Sequence, residues 1–197
     1  MKIKEKDLQI AVAGVDEAGR GALAGPVVAS VVFLSSNVSV EGVTDSKMLS
    51  STRRSFLFSQ IIEKGKVGIG IINEGTIDEI NILQASLRAM EQAFLDLNKK
   101  ETIKHLFVDG PIKPNVSCPC TQIIGGDKTN FHIGAASIVA KVVRDRIMSI
   151  YSNLFPRYGF AKHKGYATKT HLKALDKHGP CPIHRCSYSP VKKRMKK

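Results

Sequence analysis

The sequence of 197 residues lacks tryptophan, has only four cysteines and has no apolar run as long as a membrane-spanning helix, which needs roughly 18 to 20 residues. Its longest apolar stretch, Ala22–Leu34, is shorter and is interrupted by Gly25 and Pro26. Acidic residues follow the N-terminal lysines at positions where a signal peptide would remain apolar. We therefore expect a cytoplasmic protein that is neither exported nor bound to a membrane.

The few cysteines are irregularly spaced, at Cys118, Cys120, Cys181 and Cys186. In a cytosolic protein their thiols are expected to be reduced. A structural zinc site remains an alternative, since His184 lies between the last two cysteines. The spacings differ, however, from the C-x2-C pairs that are usual in such sites.

Acidic residues are almost absent from residues 141–197, where Asp145 and Asp176 stand against 15 basic residues. Residues 1–140 carry 15 basic and 15 acidic residues, so the whole formal charge of +13 lies in the C-terminal segment. A one-sided positive field is typical of proteins that bind a polyanion, most simply nucleic acid. A solubilising basic surface is the alternative.

Hydrophobic patterns predict five strands and four helices. The strands are expected at Ile10–Val15, Val27–Leu34, Val67–Ile72, Ile103–Val108 and Thr121–Ile124. The helices are expected at Ser50–Lys64, 83–97, 133–154 and Thr168–His178. Strands mixed with helices that can cover a sheet predict an α/β fold. We expect one domain over residues 1–190, with about 156–190 as a C-terminal helical extension, and then a basic tail at 191–197.

Acidic residues follow three of the predicted strands. Asp16 and Glu17 follow the first, Asp109 follows the fourth, and Asp127 follows the fifth after two glycines. Ligand sites in α/β sheets gather at the carboxyl ends of strands, so these side chains can converge. Each aspartate taken alone is more readily explained as a turn former or a helix cap. Asp16 and Glu17 can share a site only if the strand bends there, because neighbours on a strand point to opposite faces.

Clustered carboxylates favour a metal site. They repel one another and raise each other's pKa, and a hard divalent cation with oxygen ligands relieves that repulsion. Two such ions, roughly 3.5–4 Å apart, act in nucleases and polymerases. An acidic site in a basic protein is therefore consistent with metal-dependent hydrolysis of a nucleic-acid backbone.

An ordered set of motifs extends from about Val12 to Val191. The motifs are Gly14–Gly21 (GVDEAGRG), Asp45–Lys47 (DSK), Val108–Gly110 (VDG), Gly126–Asp127, Ala135–Lys141 (AASIVAK) and His163–Tyr166 (HKGY). Together they resemble the type 2 ribonuclease H family, in its bacterial ribonuclease HII branch. One of these motifs would be weak evidence, whereas the ordered set is specific.

The resemblance implies a ribonuclease H-like fold, a mixed five-stranded sheet flanked by helices, with a C-terminal helical extension. It implies an endonuclease that hydrolyses the RNA strand of RNA–DNA hybrids and cuts duplex DNA 5′ of embedded ribonucleotides by a two-metal-ion mechanism, leaving 5′-phosphate ends. Its roles would be ribonucleotide removal and RNA primer processing. The cofactor would be Mn2+ or Mg2+, with two ions per site. We expect a monomer with no membrane partner.

The resemblance also implies the site residues. The catalytic and metal-binding residues would be Asp16, Glu17, Asp109 and Asp127. The substrate-binding residues would be Gly19, Arg20, Gly21, Lys47 and Tyr166. The glycine turn would sense the ribose 2′-hydroxyl, because glycine lets the backbone approach a sugar closely, and Tyr166 would pack on the neighbouring deoxyribose. Lys47 would bind phosphate, or would be a solvated turn lysine.

Two other functions stay open on the sequence alone. One is a non-catalytic nucleic-acid-binding protein that uses only the basic C-terminal segment. The other is a metal-dependent deoxyribonuclease or recombination nuclease of the same fold. A pure binder gains nothing from carboxylates that face phosphate, and a deoxyribonuclease has no use for a 2′-hydroxyl sensor.

Overall fold

The structure is a computed structural model that describes residues 11–44 and 46–195. Five strands form one mixed sheet in the order β3-β2-β1-β4-β5. The strands are β1 (Val12–Ala18), β2 (Val27–Phe33), β3 (Lys66–Ile72), β4 (His105–Asp109) and β5 (Cys120–Ile123). β1, β2 and β3 pair antiparallel, whereas β4 is parallel to both β1 and β5. The predicted mixed five-stranded sheet is confirmed.

The first strand is longer than the sequence predicts, and its acidic residues lie inside it. The predicted start, Ile10, lies outside the described residues, and the predicted end was Val15, but β1 continues to Ala18. Its pairing with β2 is regular through Ala18, whereas its pairing with β4 stops at Val15. The run of apolar side chains ends at Val15, which is the last residue of β1 with β2 on one side and β4 on the other. Backbone pairing with β2 continues beyond it, because such pairing does not depend on side-chain polarity. The pairing with β2 has no break at Asp16 or Glu17.

Seven helices are present in the described residues, and the four predicted ones are among them. They are α1 (Ser51–Lys64), α2 (Glu74–Asn98), α3 (Gly126–Thr129), α4 (Phe131–Leu154), α5 (Phe160–His163), α6 (Lys169–His178) and α7 (Ser189–Lys192). α2 begins well before the predicted residue 83 and is kinked at Asn81, whose φ is 67°. The Asn81 side chain accepts hydrogen bonds from the N–H groups of Leu83 and Gln84, which restarts the helix. No described helix could cross a membrane.

Helices cover both faces of the sheet. α2 packs on one face, in a core that includes Val15, Val31 and Phe94. α1 and α4 cover the other face, in a core that includes Leu57 and Ile138. A Cβ at Gly14 of β1 would overlap the backbone of α4 at His132, so α4 lies directly against the strand that carries the acids. This close packing fixes the position of α4 relative to Asp16.

The C-terminal segment forms a third core. It includes Met148 of α4, Phe160, Leu175 and Val191, together with Leu23 from the loop that follows β1. The loop after β1 is thus packed between the sheet and the C-terminal helices. Lys196 and Lys197 of the predicted tail lie outside the described residues. The division into a domain, an extension and a tail stays a prediction.

A pair of buried histidines lies in this third core. His171 and His184 are 0% and 2% exposed, and their Nε2 atoms are 3.0 Å apart. His184 Nδ1 accepts a hydrogen bond from the backbone N–H of Cys181, and His171 Nδ1 lies 2.9 Å from the carbonyl oxygen of Tyr166. A carbonyl only accepts, so His171 carries its proton on Nδ1 and His184 donates from Nε2. Both rings are therefore neutral, and burial lowers the pKa of each to about 4.

We expect the free energy of unfolding to fall as the pH decreases from about 6.5 to about 4. A histidine of the unfolded chain takes up a proton near pH 6.5, whereas the folded pair does so only near pH 4. The stability contributed by the neutral pair is thus fully present above pH 6.5 and is lost as the pH falls. At about 1.4 kcal/mol per pH unit, the loss is on the order of 3 kcal/mol per histidine. Urea denaturation between about pH 4.5 and pH 7.5 measures it.

A matched pair of variants isolates the buried histidines. His171→Gln keeps an oxygen near the place of Nε2 and removes one titrating group, so the pH slope should become shallower. His105→Gln, on β4, should leave the slope as it is in the wild type. Equal slopes for wild type and His171→Gln would contradict the assignment.

Candidate active site

A cavity of about 470 Å³ opens at the carboxyl end of β1. It brings together every predicted site residue except Asp127. The residues concerned are Asp16, Glu17, Asp109, Gly19, Arg20, Gly21, Lys47 and Tyr166. They come from β1, the loop that follows it, the end of β4, the segment before α1 and the segment before α6. The parallel pairing of β1 and β4 places the ends of these two strands side by side.

Asp16 is the most enclosed of the carboxylates. It is 6% exposed, and its Oδ1 accepts a hydrogen bond from the Glu17 N–H at 2.7 Å. Burial raises the pKa of Asp16 well above its usual range, and the charges of Glu17 and Asp109 raise it further. A hydrogen bond from Ser137 acts in the opposite direction. Asp16 is thus a buried carboxylate that faces two others, which is unfavourable without a cation.

Glu17 lines the same cavity, and its carboxylate pairs with the guanidinium group of Arg20. Its Oε1 lies 3.2 Å from Nη1 of Arg20. Burial raises the pKa of Glu17, and Arg20 opposes that shift. Asp16 and Glu17 both line the cavity, which lies beyond Val15, the last residue of β1 that pairs with β4.

Asp109 and Asp127 are linked through the turn between β5 and α3. Oδ1 of Asp109 accepts a hydrogen bond from the N–H of Gly126 at 2.8 Å, which ties the end of β4 to the start of α3. Asp127 is 5% exposed and lies 3.8 Å from Lys47 Nζ. Lys47 lines the cavity, whereas Asp127 does not. The structure therefore places the fourth predicted acid next to a lysine of the cavity rather than in its lining.

The glycine turn has two different glycines. Gly19 has a φ of 103°, and a Cβ there would overlap the guanidinium group of Arg144, so the fold requires glycine. Gly21 has no positive φ, and a Cβ there would meet nothing within 4 Å. Nothing in the folded chain thus requires glycine at position 21, which lines the cavity. A close approach by a ligand is a reason for glycine there.

Tyr166 lies across the cavity from this turn. Its ring is 5.3 Å from Cζ of Arg144 and 5.7 Å from Nζ of Lys141. Its backbone is held by the carbonyl of His163 and by the side chain of His171. The ring therefore contacts two basic side chains of α4, and its backbone is held within the C-terminal segment.

Besides Ala18, three polar residues of the cavity were not predicted as site residues. Ser137 donates to Asp16, and its hydroxyl lies 2.9 Å from that of Ser46. Lys141, one helical turn further along α4, pairs with Asp145 at 2.8 Å and also lines the cavity. The signal for Ser137 was a lone hydroxyl in the apolar run 135–140. Its contact with Asp16 depends on how α4 lies against β1, which no local pattern shows.

The donor atoms of this site fit a hard divalent cation. All the acidic groups offer oxygen, and the buried Asp16 faces Glu17 and Asp109. Within residues 11–44 and 46–195, no three His, Cys, Asp or Glu side chains already converge as a metal-binding group. Arg20 and Lys47 instead pair with Glu17 and Asp127.

The cysteines lie apart from this site and in two places. Cys118 and Cys120 pack against the core beneath α2, whereas Cys181 lies in the third core with its sulfur 3.1 Å from His184 Nδ1. Burial raises the pKa of Cys118 and Cys181 to about 11, so both thiols keep their protons near neutral pH. A zinc ligand must be a thiolate, and this geometry does not favour the zinc alternative.

Comparison with known proteins shows extensive similarity. A family model described as Ribonuclease HII matches residues 13–191. A ribonuclease HII of Geotalea daltonii is 51% identical over 185 residues, which are 93% of this chain and 85% of that protein. A ribonuclease HII of Thermotoga maritima is 50% identical over 180 residues, which are 91% of this chain and 74% of that protein.

Solved structures show the same fold. The ribonuclease H2 of Pyrococcus horikoshii matches with a TM-score of 0.75 at 26% identity, covering 94% of this chain and 97% of that one. Bst-RNase HIII in complex with Mn2+ matches with a TM-score of 0.80 at 14% identity, covering 94% of this chain and 69% of that one. The second similarity, at this low identity, is one of fold alone.

Proposed function

The chain belongs to the ribonuclease HII family, and from this premise we propose that the cavity at the end of β1 cuts duplex DNA at the 5′ side of embedded ribonucleotides. Membership makes the protein an endoribonuclease of the ribonuclease H type, which hydrolyses the RNA strand of RNA–DNA hybrids. The proposal adds a more specific substrate, a particular set of residues and a role in ribonucleotide removal and RNA primer processing.

One observation carries the proposal. The carboxylates of Asp16, Glu17 and Asp109, the glycine turn and Tyr166 line a single cavity, although they are separated by up to about 150 residues in the chain. The carboxylates are suited to metal-assisted hydrolysis of a phosphodiester. The turn and the tyrosine can contact the sugars on the two sides of that phosphodiester. A cavity with both sets of groups is suited to a junction between RNA and DNA.

The residues of the chain have separate tasks in this proposal. Gly21 admits the sugar of the ribonucleotide, and the backbone of the turn hydrogen-bonds its 2′-hydroxyl. Arg20 offers a planar fork of donors to the adjacent phosphate. Tyr166 packs on the next sugar, where an extra hydroxyl would clash with the ring. Lys47, which is exposed, offers a positive charge to the backbone at the edge near Asp127.

We propose Asp16, Glu17, Asp109 and Asp127 as the catalytic groups that hold the cofactor, Mn2+ or Mg2+, with two ions in the site. Bst-RNase HIII, which has the same fold, forms a complex with Mn2+, and this supports a divalent metal here. When bound, such ions supply charge neutralisation at the phosphate and a more acidic water. Burial and the neighbouring carboxylates make a negative charge on Asp16 unfavourable, so the positive charge of the ions stabilises this carboxylate most.

The basic C-terminal segment supports nucleic acid as the partner, and we propose that the protein acts as a monomer. A non-catalytic binder would leave the buried carboxylates without a purpose, since their repulsion destabilises the fold. A deoxyribonuclease would not need the open position at Gly21. Both alternatives are therefore less consistent with the cavity than the ribonuclease.

A labelled DNA duplex with one ribonucleotide tests the proposal, next to an all-DNA duplex and a long RNA–DNA hybrid. We expect a single cut 5′ of the ribonucleotide with Mg2+ or Mn2+, no cut with a chelator and no cut in the all-DNA duplex. Cutting of the hybrid alone would exclude the junction-reading role of the turn and Tyr166. Tight binding to all duplexes without cutting would favour the binding protein.

A further inference from the structure

Two buried arginines outside the proposed site hold the loop that follows β1. Arg144, on α4, is fully buried, and its guanidinium donates three hydrogen bonds to backbone carbonyls. Two of the carbonyls belong to the loop, Ala24 at 3.1 Å and Pro26 at 2.9 Å. The third, Lys164 at 2.9 Å, belongs to the segment that carries Tyr166. A single side chain thus ties the loop to that segment.

Arg185, which follows α6, holds the same loop from another side. It is fully buried, and two of its nitrogens donate to the carbonyl of Gly25, at 3.0 and 2.7 Å. A third nitrogen donates to the carbonyl of Arg20 at 2.9 Å. The hydroxyl of Tyr188 donates to that same carbonyl at 2.9 Å. The backbone at the centre of the glycine turn is therefore fixed from beneath.

Arg144 also contacts the two elements that would read the substrate. Its guanidinium occupies the space that a Cβ at Gly19 would need. The ring of Tyr166 lies over the same guanidinium, 5.3 Å from Cζ. The turn and the tyrosine therefore share one rigid support, although neither donates a hydrogen bond to the other.

The charge of the two arginines is offset within the protein. Glu74, at the start of α2, is 8% exposed, and the charges of Arg185 and Arg144 oppose the rise in its pKa that burial causes. Burial lowers the pKa of Arg144 to about 10, which leaves it charged near neutral pH. Charged donors make stronger hydrogen bonds to carbonyls than neutral donors do.

The planar guanidinium is essential to this arrangement. It presents five N–H donors in a fixed fork, so that carbonyls from separate segments are held at set positions. A lysine in the same place keeps the charge but has no fixed donor geometry. Exchange of arginine for lysine therefore keeps the net charge but alters the spacing between the two backbone segments that the arginine holds.

We propose that Arg144 and Arg185 are positioning residues that set the spacing between the turn Gly19–Gly21 and Tyr166. This spacing decides how well the enzyme accepts an RNA-to-DNA junction relative to continuous RNA. The inference depends on the proposed reading of the junction by the turn and the tyrosine. Neither arginine touches the substrate, and each acts through the backbone or the ring that it holds.

The test is the ratio of kcat/KM on a duplex with one ribonucleotide to kcat/KM on a long RNA–DNA hybrid. For Arg144→Lys and Arg185→Lys we expect this ratio to fall about tenfold, because small misplacements of positioning groups lower rates by up to about 100-fold. The fall should lie mainly in kcat for the junction substrate. Arg146→Lys is the matched control, since Arg146 is exposed on the same helix and packs on Phe58, away from the cavity. Its ratio should equal that of the wild type.

Equal losses on both substrates, or an unchanged ratio, would overturn the inference and leave the arginines a purely structural role. If the lysine variants fail to fold, Tyr188→Phe decides, because it removes only one hydroxyl from the Arg20 carbonyl. We expect a smaller fall in the ratio there, and an unchanged ratio would overturn the inference. The wild-type protein and the Tyr166→Ala variant test the proposed function independently of the two arginines. If Tyr166→Ala does not change the ratio, the junction reading itself is wrong.

Discussion

Asp16→Asn should abolish cleavage while the protein keeps its fold and its affinity for duplexes. The variant retains an oxygen that can accept from the Glu17 N–H, but it removes the carboxylate that lies between Glu17 and Asp109. Loss of a metal-binding carboxylate removes several kcal/mol of transition-state stabilisation, so we expect a loss of about 10³-fold or more in kcat. Single-turnover cleavage of the one-ribonucleotide duplex measures it, and fluorescence anisotropy with a chelator measures affinity.

The same variant should be more stable than the wild type when no divalent ion is present. Burial and two neighbouring carboxylates make the charge on Asp16 unfavourable, and the neutral amide removes that repulsion. Its Tm near neutral pH with a chelator should therefore rise. Asp176→Asn, at an exposed ion pair with Arg194, is the control and should change neither cleavage nor Tm appreciably. Cleavage by Asp16→Asn at a near-normal rate would exclude Asp16 as a catalytic group.

Gly19→Ala should destabilise the protein and abolish junction cleavage, whereas Gly21→Ala should leave stability unchanged. At Gly19 the added methyl group meets the buried Arg144 at a φ of 103°. Backbone strain of about 1–3 kcal/mol and overpacking of about 1–3 kcal/mol add up there. For a chain of this length, Tm should fall by roughly 10 °C. Thermal unfolding followed by circular dichroism measures the difference between the two variants.

Gly21→Ala tests whether substrate binding requires glycine at this position, independently of any requirement of the fold. Its methyl group projects into open space, so any loss of activity comes from the ligand. We expect reduced cleavage at the embedded ribonucleotide with a wild-type Tm. If Gly21→Ala cleaved normally, the close approach of a sugar at this position would be wrong. If Gly19→Ala kept its Tm, the packing of Arg144 beneath the turn would be wrong.

Local patterns in the sequence were sufficient for most of the elements. The apolar positions of α4 recur at steps of three and four, and the helix spans Phe131–Leu154. The short β-branched runs at Val27 and Val67 became β2 and β3. Such patterns succeed because each element buries one face, and burial selects apolar residues at the period of that element.

The same reasoning failed where long-range pairing decides. β1 extends past its apolar run because β2 continues to pair with it. The early start of α2 has a local cause, since Asn73 caps a first helical segment before the kink at Asn81. The sequence predicted Asp16 and Glu17 after the first strand, whereas they lie inside β1, and it could not show that Asp127 lies 3.8 Å from Lys47. The order of the strands in the sheet sets those distances.

The sequence by itself determined the α/β class, the one-sided charge and, through its motifs, the resemblance to ribonuclease HII. Only the tertiary structure showed which buried side chains hold the turn Gly19–Gly21 and Tyr166 in place. Arg144 meets Ala24, and Arg185 meets Gly25, across separations of 120 and 160 residues. No local period encodes such contacts, because they depend on how α4 and the C-terminal segment pack around the loop after β1. The spacing between the turn and Tyr166 is therefore a property of the packed core and not of either motif.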